Sequence, residues 1–147
     1  MRGMTLIVRK ITQLMAPADF LLGIYVVAHG HLTPGGGFAG GVLIAGSFVL
    51  MVLAYGSEEA KSEVRKWRAS LAECLGIFAF WFLAILGLIQ GSSFFNNVIT
   101  KVYPGTPGRL FSAGIIPLCN VAIGIEVAAS LFAIFLTLAI LKVGEKL

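Results

Sequence analysis

A chain of 147 residues in which 58% are hydrophobic and only 12% charged, with a mean hydropathy of +0.94, is too apolar for a soluble domain. The formal net charge of +4 does not imply nucleic acid, because the cations flank long apolar runs instead of clustering on an aromatic surface. Four apolar stretches, at about 8–29, 38–56, 70–90 and 112–141, each reach the roughly 20 residues that cross about 30 Å of hydrocarbon. They predict an all-α integral membrane protein with four transmembrane helices, a single domain over 1–147 and the lipid bilayer as its solvent.

The first stretch lacks a small-residue cleavage site and is expected to be retained as a span rather than removed as a signal peptide. It carries Pro17, which is expected to bend it, and Asp19 near its middle. An acid at that depth is costly, so Asp19 is predicted to face protein or water. It is either part of an ion path or a tie to a neighbouring subunit or to carbonyls freed by Pro17. At the far end His29 and His31 bracket Gly30. Two histidines fall short of the four ligands that zinc takes. Proton entry or exit and simple bracing of the loop are both open to them.

Pro34-Gly35-Gly36-Gly37 lacks the Gly-Lys-Ser/Thr ending and the preceding strand of a phosphate loop. The second stretch opens with small residues at four-residue spacing, Gly36 with Gly40 and Gly37 with Gly41 and Ala45. Such a face lets a neighbouring helix approach closely. The loop from Ser57 to Ala69 interleaves Glu58, Glu59 and Glu63 with Lys61, Arg65, Lys66 and Arg68, the pattern of a solvated face. Ser70 followed by Glu73 reads as a capping box that opens the third span. That accounts for Glu73 structurally and leaves it a minor ion-path candidate. A further loop, Gly91 to Phe111, holds Pro104, Gly105, Pro107 and Gly108.

Glu126 lies near the centre of the fourth stretch with no opposite charge within two turns. Ser130 shares its face one turn on, and Asn120 and Pro117 put a polar, kinked segment about two turns before it. Such a stripe can line a hydrated path, or can anchor the chain through hydrogen bonds to a neighbouring protein of the assembly. Cys74 and Cys119 show no ligand spacing and read as small buried apolar residues. Nucleophile signatures are missing, so no enzyme active site, metal or cofactor is expected in this chain.

Cytoplasmic loops carry the excess of Lys and Arg. With four spans, Arg2, Arg9, Lys10, Lys61, Arg65, Lys66, Arg68, Lys142 and Lys146 fall on one side, and Lys101 and Arg109 on the other. Both termini and the charged loop are therefore expected in the cytoplasm.

The run His29-Gly30-His31-Leu32-Thr33-Pro34-Gly35-Gly36-Gly37-Phe38-Ala39-Gly40-Gly41, between two spans, closely resembles the MnhB-like family, the MnhB subunits of Mrp-type multisubunit sodium/proton antiporters. The segment Ile116-Pro117-Leu118-Cys119-Asn120-Val121-Ala122-Ile123-Gly124-Ile125-Glu126-Val127 is similar to the family's final helix. The resemblance covers essentially the whole chain. It implies a small subunit of a cation/proton antiporter module in a prokaryotic cell membrane, with sodium ions and protons as the transported species and other antiporter-module membrane subunits as partners. The same module occurs in archaeal membrane-bound hydrogenases and sulfur reductases. The few amides, Gln13, Gln90, Asn96, Asn97 and Asn120, suit a thermophilic source and so that setting. Two other roles stand beside an ion path in such a complex: a structural scaffold between ion-conducting subunits, and the MnhB component of a stand-alone Mrp antiporter. A small homo-oligomeric channel is a further rival.

Overall fold

The computed structural model describes residues 4–56, 66–106, 108–109 and 112–144, without the side chains of 66–68 and 140–144. The charged-loop residues Glu58, Glu59, Lys61, Glu63 and Arg65, together with Arg2, Pro107 and Lys146, lie outside the described residues. Among the described residues five helices follow in order: α1 (Leu6–Ala28), α2 (Gly36–Tyr55), α3 (Lys66–Ile89), the short α4 (Val98–Val102) and α5 (Ile116–Gly144). No strand occurs among the described residues. α1, α2, α3 and α5 are each long and apolar enough to cross a membrane. In space they run α1, α2, α5, α3, with α3 resting on α5.

Glycine decides this order. A Cβ on Gly40 would lie 2.7 Å from the Gly23 carbonyl and run into Val27, so α1 and α2 meet backbone to backbone. On the other side of α2, a Cβ on Gly41 would lie 2.8 Å from the Gly124 carbonyl, and one on Gly37 would strike the Asn120 carbonyl. Apolar surfaces gain little by leaving lipid for one another, so close approach of this kind is what holds such helices together. On α3 a Cβ on Gly76 would lie 2.7 Å from Cβ of Glu126 and 2.9 Å from the Ala122 carbonyl, which seats α3 on α5. Larger side chains fill the middle: Phe48 lies between Phe20 and Phe132, with ring centroids 5.8 and 5.5 Å away. Val52, Phe132 and Leu136 are buried beside it.

Three local expectations need correction. α3 begins at Lys66, so Ser70 and Glu73 lie inside the helix and form no capping box at its start. Pro117 is the second residue of α5, where its missing N–H would have had no intrahelical partner, so it does not interrupt the span. Cys74 is exposed, because α3 packs on one flank only and Cys74 is on another; Cys119 is buried as expected. Pro17 is inside α1, which continues through it as one helix.

Asn97 organises the long loop before α5. Its Oδ1 accepts from the backbone N–H of Thr100 at 3.4 Å, capping α4, and from that of Ile115 at 3.2 Å. Its Nδ2 donates to the Ala113 carbonyl at 2.9 Å. One amide thus ties the loop to the start of α5.

Gly37→Ala is expected to lower the thermal stability of the detergent-solubilised chain, by about 1–3 kcal/mol as overpacking does, because the new methyl meets backbone on α5. Gly46→Ala should leave stability unchanged or slightly raised, since a Cβ there meets nothing within 4 Å. Melting curves of the two variants side by side check both. Asn97→Ala leaves the Ile115 N–H of a buried residue unpaired, at about 1–3 kcal/mol, while the Ala113 carbonyl keeps its bond from the Ile116 N–H. Faster hydrogen exchange at Ile115, with the α1 amides unchanged, is the expected signature.

Candidate functional site

α5 presents two different faces. Asn120, Ile123, Gly124 and Val127 meet α2 and α1, whereas Ala122 and Glu126 meet α3 at Gly76. Glu126 lies about 15 Å along α5 from Ile116 at about 1.5 Å per residue, close to half the hydrocarbon thickness. It is half-buried, and its Oε1 accepts a hydrogen bond from the Ser130 hydroxyl at 3.3 Å.

Ser130 shares a cavity wall with a second carboxylate. Together with Glu73 of α3 and with Ala133, Ile134, Thr137 and Leu138 of α5 it lines a cavity of about 320 Å³. Glu73 stands one turn before Gly76, so the glycine that lets α3 approach α5 also sets the height of the acid. Glu126, Ser130 and Thr137 follow one another along the same stripe at helical spacing. The Thr137 hydroxyl donates to the Ala133 carbonyl at 2.9 Å, which leaves its lone pairs free to accept. The result is two carboxylates and two hydroxyls at one helix seam.

The other predicted residues lie elsewhere. Val27 on Gly40, Gly23 on Ile44 and Phe20 on Phe48 give the α1–α2 register, and by it Asp19 lies level with Phe48 and Val49. Asp19 is half-buried between the buried Ala16 and Gly23 on the face of α1 that meets α2. The structure therefore does not bring Asp19 and Glu126 into one site. Asn120 is on the opposite face of α5 from Glu126, with its side-chain amide against Gly30 and Gly36.

His29 and His31 share no partner. His29 caps α1, with Nδ1 donating to the Tyr25 carbonyl at 3.0 Å and its ring stacked on Tyr25 at 4.1 Å. Nε2 of His31 donates to the Arg109 carbonyl at 3.2 Å, tying the first loop to the last. The glycines between them have a steric reason. A Cβ on Gly30 would run into Gly36 and lie 2.8 Å from Nδ2 of Asn120, and Gly36 itself adopts φ +52°. The loop thus closes over Asn120 as a clasp between α1, α2 and α5.

Three contributors escape a reading of the sequence: Gly76, Thr137 and Asn97. Thr137 was within reach, since it continues the Glu126–Ser130 stripe at the next helical repeat. Gly76 depends on a contact between distant segments that periodicity within one span does not reveal.

Residues 7–133 match the family described as a domain related to the MnhB subunit of Na+/H+ antiporter. An uncharacterized protein of Methanocaldococcus jannaschii is 40% identical over 114 residues, 75% of this chain and 43% of that protein. A Staphylococcus aureus protein named as antiporter subunit mnhB2 is 39% identical over 59 residues, 40% of this chain and 42% of its own length. Among solved structures, a chain of the membrane-bound sulfane sulfur reductase, an archaeal respiratory membrane complex, superposes with a TM-score of 0.75 at 34% identity. That match covers 88% of this chain and 56% of the other. The chain thus spans less than half the length of the two sequence relatives and little more than half of the structural one. With four apolar helices and a family match over nearly its whole length, the chain is a multi-pass membrane protein that belongs to the MnhB family of Na+/H+ antiporter-related subunits.

Proposed function

We propose that this chain is a small subunit of a cation/proton antiporter module in the cell membrane of an archaeon, within a respiratory complex of the sulfur reductase or hydrogenase kind. In this reading Glu126 binds and releases a proton or sodium ion on the transport route. The observation that carries it is the position of Glu126: half-way through the membrane, hydrogen-bonded to Ser130 and beside a cavity that holds a second acid. An ionisable group is retained at such depth at a cost, and at a helix seam with hydroxyls beside it that cost is partly met. Sodium requires several oxygen ligands, and Glu126 with Ser130 supplies two residues' worth; water or partner subunits complete the shell. The module's other membrane subunits, and hydrogenase or reductase subunits in the same assembly, are the partners of this reading.

Both termini and the charged loop face the cytoplasm in this reading, which places His29 and His31 at the outer surface. Their bonds to carbonyls make them braces of the outer loops. Asp19 acts at its own seam, with α2 or with a neighbouring subunit. A scaffold role is favoured by a separate observation, the glycine-to-backbone contacts that lock α1, α2 and α5 together. The two roles use different faces of α5 and lead to different outcomes for one substitution.

Glu126→Gln keeps the shape of the side chain and an acceptor for Ser130 while removing the exchangeable charge. In the purified complex reconstituted into liposomes, sodium-driven proton movement followed by a pH-sensitive dye is expected to fall by about 10²-fold or more. Subunit recovery in mild detergent should be unchanged. Unaltered exchange in the intact assembly overturns the conduction role; loss of subunits before loss of exchange identifies the scaffold.

A further inference from the structure

Once Glu73 has no helix start to cap, a carboxylate remains on a cavity wall inside a membrane helix, with no hydrogen bond or ion pair among the described residues. Ser130, the residue that donates to Glu126, lines the same cavity. One hydroxyl thus borders both the cavity and Glu126. We propose that this cavity is the water-filled access path between Glu126 and the charged-loop end of the bundle, and that Glu73 carries protons along it. The proposal rests on the reading of Glu126 as a proton-exchanging group.

The direction of the path follows from the packing. α3 and α5 are antiparallel: Gly76 meets Glu126 and Ala122, while Glu73 and Ser130 lie further toward the end where α3 begins at Lys66. Thr137 and Leu138 continue the lining toward Gly144, the same end. From Ser130 to Leu138 is about 12 Å of helix rise, so the lining reaches from one turn beyond Glu126 to near the surface. In the other direction the seam is shut. A Cβ on Gly76 has no room between the helices, and neither has a water molecule. The path is thus one-sided, and the onward route from Glu126 to the outer surface belongs to other subunits.

The chemistry needs only proton exchange. With Glu73 protonated and Glu126 ionised, the Glu73 O–H bond breaks and its proton passes through cavity water to the Ser130 oxygen. The hydroxyl's own proton, already directed at Oε1 of Glu126, forms the new O–H bond there. The step ends with Glu73 ionised, Glu126 protonated and Ser130 unchanged, and no electrons transferred. At about 30 Å³ per molecule the cavity has room for several waters. Its outer flank is open, so the assembled complex, in which that flank is covered, is the form to test.

The test places single cysteines in the complex in sealed vesicles, in a background with Cys74→Ala and Cys119→Ala. Thr137→Cys, or Leu138→Cys should that variant fail to assemble, and Ser130→Cys are treated with a membrane-impermeant maleimide from either side. Leu131→Cys, at the same depth but not on the cavity, is the reference. From the charged-loop side the cavity positions are expected to react roughly tenfold faster than Leu131→Cys or more, because only a hydrated thiol ionises readily. Equal rates, or reaction from the His29–His31 side, overturn the access path. Glu73→Gln should slow exchange about tenfold or more, with partial rescue by Glu73→Asp, while leaving maleimide rates at Thr137→Cys unchanged. Full-rate exchange in Glu73→Gln overturns the proton-carrying role. Cavity labelling that persists where Glu126→Gln exchanges normally retires the role of Glu126 and leaves the water path standing, so the two failures are distinct.

Discussion

The structure depends on how closely backbones can approach one another. In water, helices are driven together by their apolar faces; in a bilayer, lipid solvates those faces as well as a neighbouring helix does. α2 therefore bears small residues on two sides, Gly40 toward Gly23 and Val27 of α1, and Gly37 and Gly41 toward Asn120 and Gly124 of α5. The Gly-rich loop extends the same principle beyond the helix end. Gly30 packs so tightly on Gly36 and on the Asn120 amide that no side chain fits there, and Gly36 adopts φ +52°, which L side chains rarely take. Of the two roles the sequence leaves open for the loop's histidines, bracing of the loop is the one their bonds to the Tyr25 and Arg109 carbonyls support.

The α3–α5 seam is built differently, and the difference is chemical. Gly76 makes one close contact, after which the helices part toward the charged-loop end and polar side chains occupy the gap. A second gap, between α3 and the α1–α2 pair, is lined by Phe20, Ile44, Phe48, Ala69, Ala72 and Phe132, with a volume of about 360 Å³. The two gaps are of similar size, but the other is apolar throughout, whereas the α3–α5 gap sets Glu73, Ser130 and Thr137 among apolar residues. The apolar one can be filled by anything oily. The acid and hydroxyls of the α3–α5 gap need water, ions or partner polar groups, which makes it, and not the larger gap, the candidate site.

The four spans were legible because the bilayer imposes length and hydropathy on any helix that crosses it, and α1, α2, α3 and α5 begin and end within about four residues of the stretches read from composition. The helix-start signals were less so. Ser70 and Glu73 have capping-box spacing, but Lys66-Trp67-Arg68 continue the helix upstream, and a four-residue motif does not reveal what precedes it. Cys74 and Cys119 looked alike for a related reason: spans apolar nearly all round lack the periodicity that separates inside from outside. Glu126 and Ser130 could be paired from sequence because they are one turn apart. Glu73 could not be joined to them, since that needs the antiparallel register of two helices separated by the longest loop of the chain.

That register also explains why, of the three acids in the described helices, Glu73 and Glu126 share a seam and Asp19 does not. Asp19 is on the α1–α2 seam, where glycines bring the backbones into contact above it and aromatic rings close the space beside it. Glu126 is on the α3–α5 seam, beside a gap. Both acids are half-buried, but at Glu126 the packing supplies hydroxyls in line and, one turn on, room for water. Such an arrangement requires α5 to hold its height to a fraction of a helical turn, because sliding by one residue would turn Glu126 away from Ser130's neighbours and from Gly76. The Asn120 clasp at one end and the Gly41–Gly124 contact midway prevent that slide. The rigid face of α5 is in this sense the condition for the reactive one.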